Sequence, residues 1–323
     1  MRRRDFVALL GATAVWPIPV RAQPAARRPR LGVLLFDTAQ HDPNTQSILR
    51  GLRDLGYVDG QNIDIEYRYA EGKLENLPEL AAELVRLKPN VLFVVGGDLT
   101  THVSRATQTI PIVYAMSADP VQLGVSKSLA KPGGNATGVT FLSDELAAKR
   151  LEVLKEAAPR VSRVAFLSNP DHADNELPVA RRAAANLGVQ LQSVDVRGPN
   201  DFDSAFNAAT QTGVDAVYVV SSRQMVANLP RIVGFATKNH LPLAGGWGAW
   251  VQAGGLVSYG PNIGDMVRQA TSHVDKILKG SNPGDLPVQQ PTRFELLVNL
   301  KTAKALGLTI PEAFLLRADK VIE

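Results

Sequence analysis

Cysteine is absent from the 323 residues. That excludes disulfides, thiolate metal sites and cysteine nucleophiles, and leaves no N-terminal cysteine for a lipid anchor. Long apolar runs are missing too, since no segment reaches the roughly 18 uninterrupted apolar residues that span a bilayer. The glycine pairs never form G-x-G-x-x-G after a strand, so no dinucleotide site is expected. Neither a G-x-S-x-G elbow nor a phosphate-binding lysine motif occurs. His41, His102, His172, His240 and His273 are scattered without metal-ligand spacing. The expectation is no cofactor, no metal and no catalytic residue, hence no enzyme.

What is present fits a soluble chain large enough for two lobes. A composition of 45% hydrophobic and 20% charged residues argues against disorder. Residues 1–22 read as an export signal: Arg2-Arg3-Arg4 starts it, Arg3-Arg4-Asp5-Phe6 is twin-arginine-like, and Val20-Arg21-Ala22 offers a cleavage site. Pro17 and Pro19 oppose a buried helix there. The signal holds Arg2, Arg3, Arg4 and Arg21 against Asp5, so it accounts for +3 of the net +4. The remaining chain is nearly neutral, and nucleic acid is not an expected partner. Residues 23–30 read as a Pro/Ala/Arg linker.

Beyond the linker, apolar strands alternate with amphipathic helices. Leu31 to Phe36 is a buried strand, and Asn44 to Leu55 a helix with Ile48, Leu52 and Leu55 on one face, capped by Gly56. Ile63, Ile65 and Tyr67 alternate with polar residues as a strand does. A second run from Val164 repeats the order. Leu55-Gly56 and Leu187-Gly188 lie 132 positions apart and Pro111 and Pro242 lie 131 apart, which points to an internal duplication. Between the halves, Ser143 reads as the N-cap of a helix reaching Ala157, with Lys149, Arg150 and Glu152 on its wet side. Strands returning near Gly138 and Tyr259 imply a hinge of several segments.

The fold class expected is α/β: two Rossmann-like lobes with parallel sheets and a cleft at the hinge. The first lobe is expected over 31–142 plus about 261–288, the second over 143–260 plus about 289–323. Right-handed crossovers bring the strand-to-helix turns of each sheet to one edge. These are Phe36-Asp37-Thr38, Gly96-Gly97-Asp98, the turn from Ala115 through Ser117 to Asp119, Ser168-Asn169-Pro170, Ser221-Ser222-Arg223 and Gly246-Trp247-Gly248.

Candidate ligand contacts lie in those turns. Asp98 after its glycines reads either as an acceptor for a ligand ammonium or ring N–H, or as a helix N-cap; Asp119, before Pro120, reads as a turn former or a contact. Arg223, with Ser222, offers a planar fork to a carboxylate or phosphate. Asn169 is divided between capping and binding. Trp247 and Trp250, in a glycine-rich stretch, are suited to stack on a planar ligand, with Phe36, Phe141 and Tyr259 as neighbours.

Longer motifs carry a resemblance. They include Gly51-Leu52-Arg53-Asp54-Leu55-Gly56-Tyr57, Leu129-Ala130-Lys131-Pro132-Gly133-Gly134-Asn135, Ala253-Gly254-Gly255-Leu256-Val257-Ser258-Tyr259-Gly260 and Asn299-Leu300-Lys301-Thr302-Ala303. From about Arg30 to Glu323 the chain resembles the solute-binding proteins of ABC transporters with the type I periplasmic-binding-protein fold. Gly97-Asp98-Leu99 departs from the Gly-Thr-Pro-like turn frequent in relatives, and Trp247-Gly248-Ala249-Trp250 is unusually aromatic. The resemblance implies a monomeric periplasmic receptor that closes on a small aromatic, amino-acid-like or nucleobase-like molecule and meets an inner-membrane ABC permease. Two other readings are a ligand-sensing subunit of a signalling system and an exported α/β enzyme.

Overall fold

The computed structural model describes residues 28–172 and 176–323. The expected export signal and residues 23–27 of the linker lie outside them. The first sheet contains β1 (Arg30–Leu35), β2 (Asp64–Tyr69), β3 (Val91–Val95), β4 (Ile112–Met116) and β5 (Ala136–Thr140). The connecting helices are α1 (Asn44–Asp54), α2 (Leu77–Arg86) and α3 (Gly97–Ala106). Strand order is β2-β1-β3-β4-β5, with every pairing parallel. Strands β3 and β4 are buried from end to end and read as unbroken apolar runs, because both faces of a parallel sheet are covered. At the edge, β2 is half-buried and alternates Ile65, Tyr67 and Tyr69 with Asp64, Glu66 and Arg68.

The chain then crosses into α4 (Ser143–Ala157), β6 (Arg163–Ser168), α5 (Glu176–Leu187), β7 (Gln190–Asp195), α6 (Phe202–Gln211) and β8 (Ala216–Val219). Next come α7 (Arg223–Ala227), α8 (Leu229–Lys238), β9 (Leu243–Gly245), α9 (Gly248–Gln252) and β10 (Val257–Gly260). The order β7-β6-β8-β9-β10 within the second sheet repeats that of the first. Both helices after the opening strands end in a left-handed glycine, Gly56 at φ 85° and Gly188 at φ 63°. The fixed sequence offset thus corresponds to a repeated topology.

After β10 the chain returns to the first lobe as α10 (Ile263–Leu278), which packs on α1 and over β3, β4 and β5. Gln289 then bridges Val139 at the first sheet's edge. A final crossing adds β11 (Glu295–Asn299), α11 (Leu300–Ala305), α12 (Glu312–Leu315) and β12 (Lys320–Ile322) to the second sheet, with β11 antiparallel to β10. Three segments therefore join the lobes. A cluster of buried apolar residues runs from Val33 and Phe93 through Phe141, Met266 and Trp247 to Val219 and Leu243, continuous across the join.

The stretch after β8 forms two helices, broken at Asn228 ahead of Pro230, which cannot donate within a helix. Two local expectations are corrected. Ser143 is not an N-cap: Leu142 holds that position at φ 48°, and the Ser143 hydroxyl turns inward. Arg150, expected on the wet side of α4, is buried with its side chain fully covered, because α4 lies under β9 and β10 and finds a carboxylate there.

Candidate functional site

Turns from both lobes meet in one crevice. Its narrow end, about 10 Å³, is walled by Gly96, Gly97, Asp98, Met116, Ser117 and Phe141 from the first lobe. His172, Arg223 and Trp247 face them from the second lobe, and Met266 from α10. Arg223 and Trp247 also line a wider chamber of about 490 Å³, bounded by Asn44 and Ser47 of α1, the crossing from Gly260 to Gly264, and Glu295 and Leu297 of β11. That volume is within the usual range for a small-molecule site of about 300–1,000 Å³.

At the narrow end the lobes touch through polar groups. Asp98 Oδ2 lies 2.7 Å from His172 Nδ1. His172 Nε2 donates to the Ser221 carbonyl at 3.2 Å, and Ser117 Oγ donates to the same oxygen at 3.2 Å. One carbonyl of the second lobe thus receives a donor from each lobe. The Arg223 guanidinium carbon sits 4.7 Å from the centre of the Trp247 ring, a cation–π distance. Trp247 is 5% exposed, and its Nε1–H is buried with no hydrogen-bond partner among the described residues. Glycine at 246 is a steric requirement, since a Cβ there would lie 2.4 Å from Ser221 Oγ and 2.7 Å from Arg150 Cζ.

Of the residues singled out from the sequence, Gly97, Asp98, Ser117, Phe141, Arg223 and Trp247 come together on the crevice. The others are placed elsewhere. Trp250 is fully buried in α9 against Gly245, a core side chain of a helix too short to show periodicity. Tyr259 stacks on Phe294 with centroids 6.1 Å apart. Phe36 belongs to the first lobe's core, and Asp37 Oδ1 accepts the Thr38 N–H at 2.8 Å. Asp119 Oδ1 accepts the Val121 N–H at 2.8 Å, the turn-forming role. Asn169 bonds Gln224 and accepts from the Asp171 N–H, while the Ser222 hydroxyl caps α7 by accepting from the Met225 N–H. His172 has no metal-ligand spacing to mark it; its position in the turn after β6, matching that after β1, is the available signal.

The chain matches the sequence model of a family described as ABC transporter substrate binding protein over residues 36–322. The chain belongs to that family. It is 26% identical over 270 residues to a tyrosine-binding protein of Clostridioides difficile, covering 83% of this chain and 77% of that one. A crystal structure of a conserved domain protein from Vibrio cholerae O1 biovar El Tor superposes with a TM-score of 0.85 at 29% identity, covering 91% of this chain and all of the other. An ABC domain from Streptococcus pneumoniae in complex with L-Trp gives 0.83 at 26% identity, with the same coverage. The two lobes have the type I periplasmic-binding-protein architecture. No helix among the described residues is long and apolar enough to cross a membrane.

The substrate-binding protein holds its crevice turn from behind with a buried ion pair. Arg150 Nη1 lies 3.1 Å from Glu176 Oε2, both side chains fully covered. Glu176 Oε1 accepts from the Ser143 hydroxyl at 2.6 Å and the Ser221 N–H at 3.0 Å, and Oε2 from the Tyr218 hydroxyl at 2.7 Å. Arg150 Nε donates to the Tyr259 carbonyl at 2.8 Å and Nη1 to Ser143 Oγ at 2.8 Å. Burial alone would lower the Arg150 guanidinium, but the adjacent Glu176 carboxylate and Tyr218 outweigh it and hold it above its ordinary value. Burial, then Glu176, pushes the Tyr218 phenol well above its usual range. The pair ties two interlobe crossings, at Ser143 and at Tyr259, to the Ser221–Arg223 turn.

Proposed function

We propose that this substrate-binding protein is the periplasmic receptor of an ABC importer. It is exported by its twin-arginine-like signal and works as a monomer, without a chemical step. The ligand is a small aromatic, amino-acid-like or nucleobase-like molecule, held between a first lobe of residues 31–142 with about 261–288 and a second of 143–260 with about 289–323. The observation that carries the reading is the convergence of Asp98 and Ser117 from one lobe with His172, Arg223 and Trp247 from the other, beside a chamber of about 490 Å³. A ligand shifts the lobes only by binding closed and open forms unequally, and contacts from both lobes meet that condition. The tyrosine-binding relative and the L-Trp complex favour aromatic amino acids within the class. The closed form then presents both lobes to an inner-membrane permease.

The test is isothermal titration of the purified protein with L-Trp, L-Tyr, L-Phe and nucleobases, preceded by mass spectrometry of any copurifying molecule. Arg223→Ala is expected to weaken binding with melting temperature little changed; Trp247→Ala is expected to weaken binding and also to lower the melting temperature, because its ring is part of the buried cluster. No heat from any of these compounds, or unchanged affinity in both variants, would refute the reading.

A further inference from the structure

We propose that Glu295 receives the ammonium of a zwitterionic α-amino acid in the wide chamber, with Trp247 Nε1–H and Arg223 on the carboxylate. The inference rests on the receptor reading above and narrows its ligand from three classes to one. The acids the sequence suggested for this role are already engaged. Asp98 is joined to His172 at 2.7 Å across the crevice, and Asp119 forms a turn with Val121. Asp319, on the chamber wall, accepts the Leu296 N–H at 2.9 Å and pairs with Arg293 at 3.2 Å. The Leu296 N–H bond is the main cause holding its carboxyl below the usual range.

Glu295 remains. It is half-buried, lines the chamber, and its carboxylate makes no hydrogen bond or ion pair with any described residue. Register supports the placement: Glu295 and Leu297 are two apart on β11, so they share a face, and both line the chamber. A carboxylate drawn halfway out of water with no donor is unfavourable by itself, and a ligand ammonium would relieve it with a charge-assisted hydrogen bond.

The second, independent sign is the Trp247 indole N–H, a buried donor without a partner among the described residues, on a side chain that lines the same chamber. Buried donors are rarely left unmatched. A ligand carboxylate oxygen satisfies it, next to the guanidinium stacked on the same ring. An orphaned donor and an orphaned acceptor on side chains that line one chamber match the two ends of an α-amino acid, and a neutral nucleobase or a simple carboxylic acid satisfies only part of the set.

The test is isothermal titration of the full chain with L-Trp and with 3-indolepropionate, which lacks only the ammonium. The wild type is expected to bind L-Trp at least about tenfold more tightly, the loss of one hydrogen bond to a charged group. Glu295→Gln should lose most of that preference while keeping its affinity for 3-indolepropionate, and Glu295→Asp should retain part of it. Trp247→Phe should weaken both compounds. Equal L-Trp affinity in wild type and Glu295→Gln, with circular dichroism unchanged, would overturn the role of Glu295 and leave the receptor reading standing. A wild type that binds neither compound, nor L-Tyr nor L-Phe, would remove the amino-acid ligand and this proposal with it. If Glu295→Gln does not fold, equal wild-type affinity for L-Trp and 3-indolepropionate overturns the proposal unaided.

Discussion

Replacing Glu176 by glutamine changes one carboxyl oxygen to an NH2 and is expected to be among the most destabilising single substitutions in the second lobe. The geometry leaves the amide no acceptable orientation. With its NH2 at the Oε1 position it faces the Ser221 N–H, and at the Oε2 position it faces the Arg150 guanidinium, and neither of those groups can accept. Arg150 meanwhile keeps a fully covered charge with its counter-ion gone. Removing one member of a buried pair in this way costs about 3–5 kcal/mol. For a lobe of this size about 1 kcal/mol moves the melting temperature by 2–4 °C, so a fall of roughly 6–20 °C is expected. Differential scanning calorimetry, run with urea titration to check the free energy, is the assay. Arg150→Met combined with Glu176→Leu removes both charges and is expected to recover much of the loss, since apolar replacements of buried pairs are frequently neutral. A shift below about 2 °C for Glu176→Gln would refute the argument, by showing that water or rearrangement already satisfies these groups.

Other consequences are as direct. His172→Ala removes the contact with Asp98 and is expected to weaken ligand binding by about fivefold to tenfold, measured by titration calorimetry. Gly138→Ala places a Cβ 2.0 Å from the Tyr114 carbonyl oxygen, so a loss beyond the usual overpacking cost of about 1–3 kcal/mol is expected, read as soluble yield and urea midpoint. His273, on the buried face of α10, has its imidazole held below the ordinary 6.5 by burial, only partly offset by its bond to the Pro287 carbonyl. The unfolded chain therefore binds the proton more readily, and stability should decline as pH falls below about 6.5. His273→Gln should flatten the melting temperature against pH between about 7 and 5.

The sheet strands were legible because parallel strands covered on both faces are written as unbroken apolar runs, as in Val91-Leu92-Phe93-Val94-Val95. The repeat was legible because its fixed points, Gly56 and Gly188, are positions where the backbone turns left-handed and glycine is favoured. Arg150 and Glu176 were not, since periodicity assigns a charged side chain to water, and only the tertiary fold shows that each has its counter-ion inside. The two tryptophans look alike in sequence, both flanking Gly248-Ala249. Trp247 precedes the first turn of a helix of five residues and Trp250 falls within it, which sends one ring to the crevice and the other to the core. His172 is marked only by its turn after β6, and Glu295 carries no local signal at all. Each matters through a residue far away in the chain or a space that several segments enclose.

The placement of Arg150 links these levels. Its guanidinium bonds the Tyr259 carbonyl just before the chain crosses to α10, and Ser143 just after the chain has left the first lobe. The same pair fixes Ser221, whose carbonyl receives His172 from one side and Ser117 from the other lobe. On the proposed receptor reading, movement of the lobes is expected in the segments between these anchors, with the turn that meets the opposite lobe carried along by the second lobe as a rigid unit. Rigid walls with compliant crossings let a small contact free energy change the angle between lobes without loosening either core. Contacts confined to one wall would leave that angle unchanged however tight they were, because only a difference in affinity between the two forms moves the equilibrium. Ser117→Ala separates these cases: it removes an interlobe donor and touches neither core, so it should shift the ligand-induced compaction seen by small-angle scattering and leave thermal unfolding as it was.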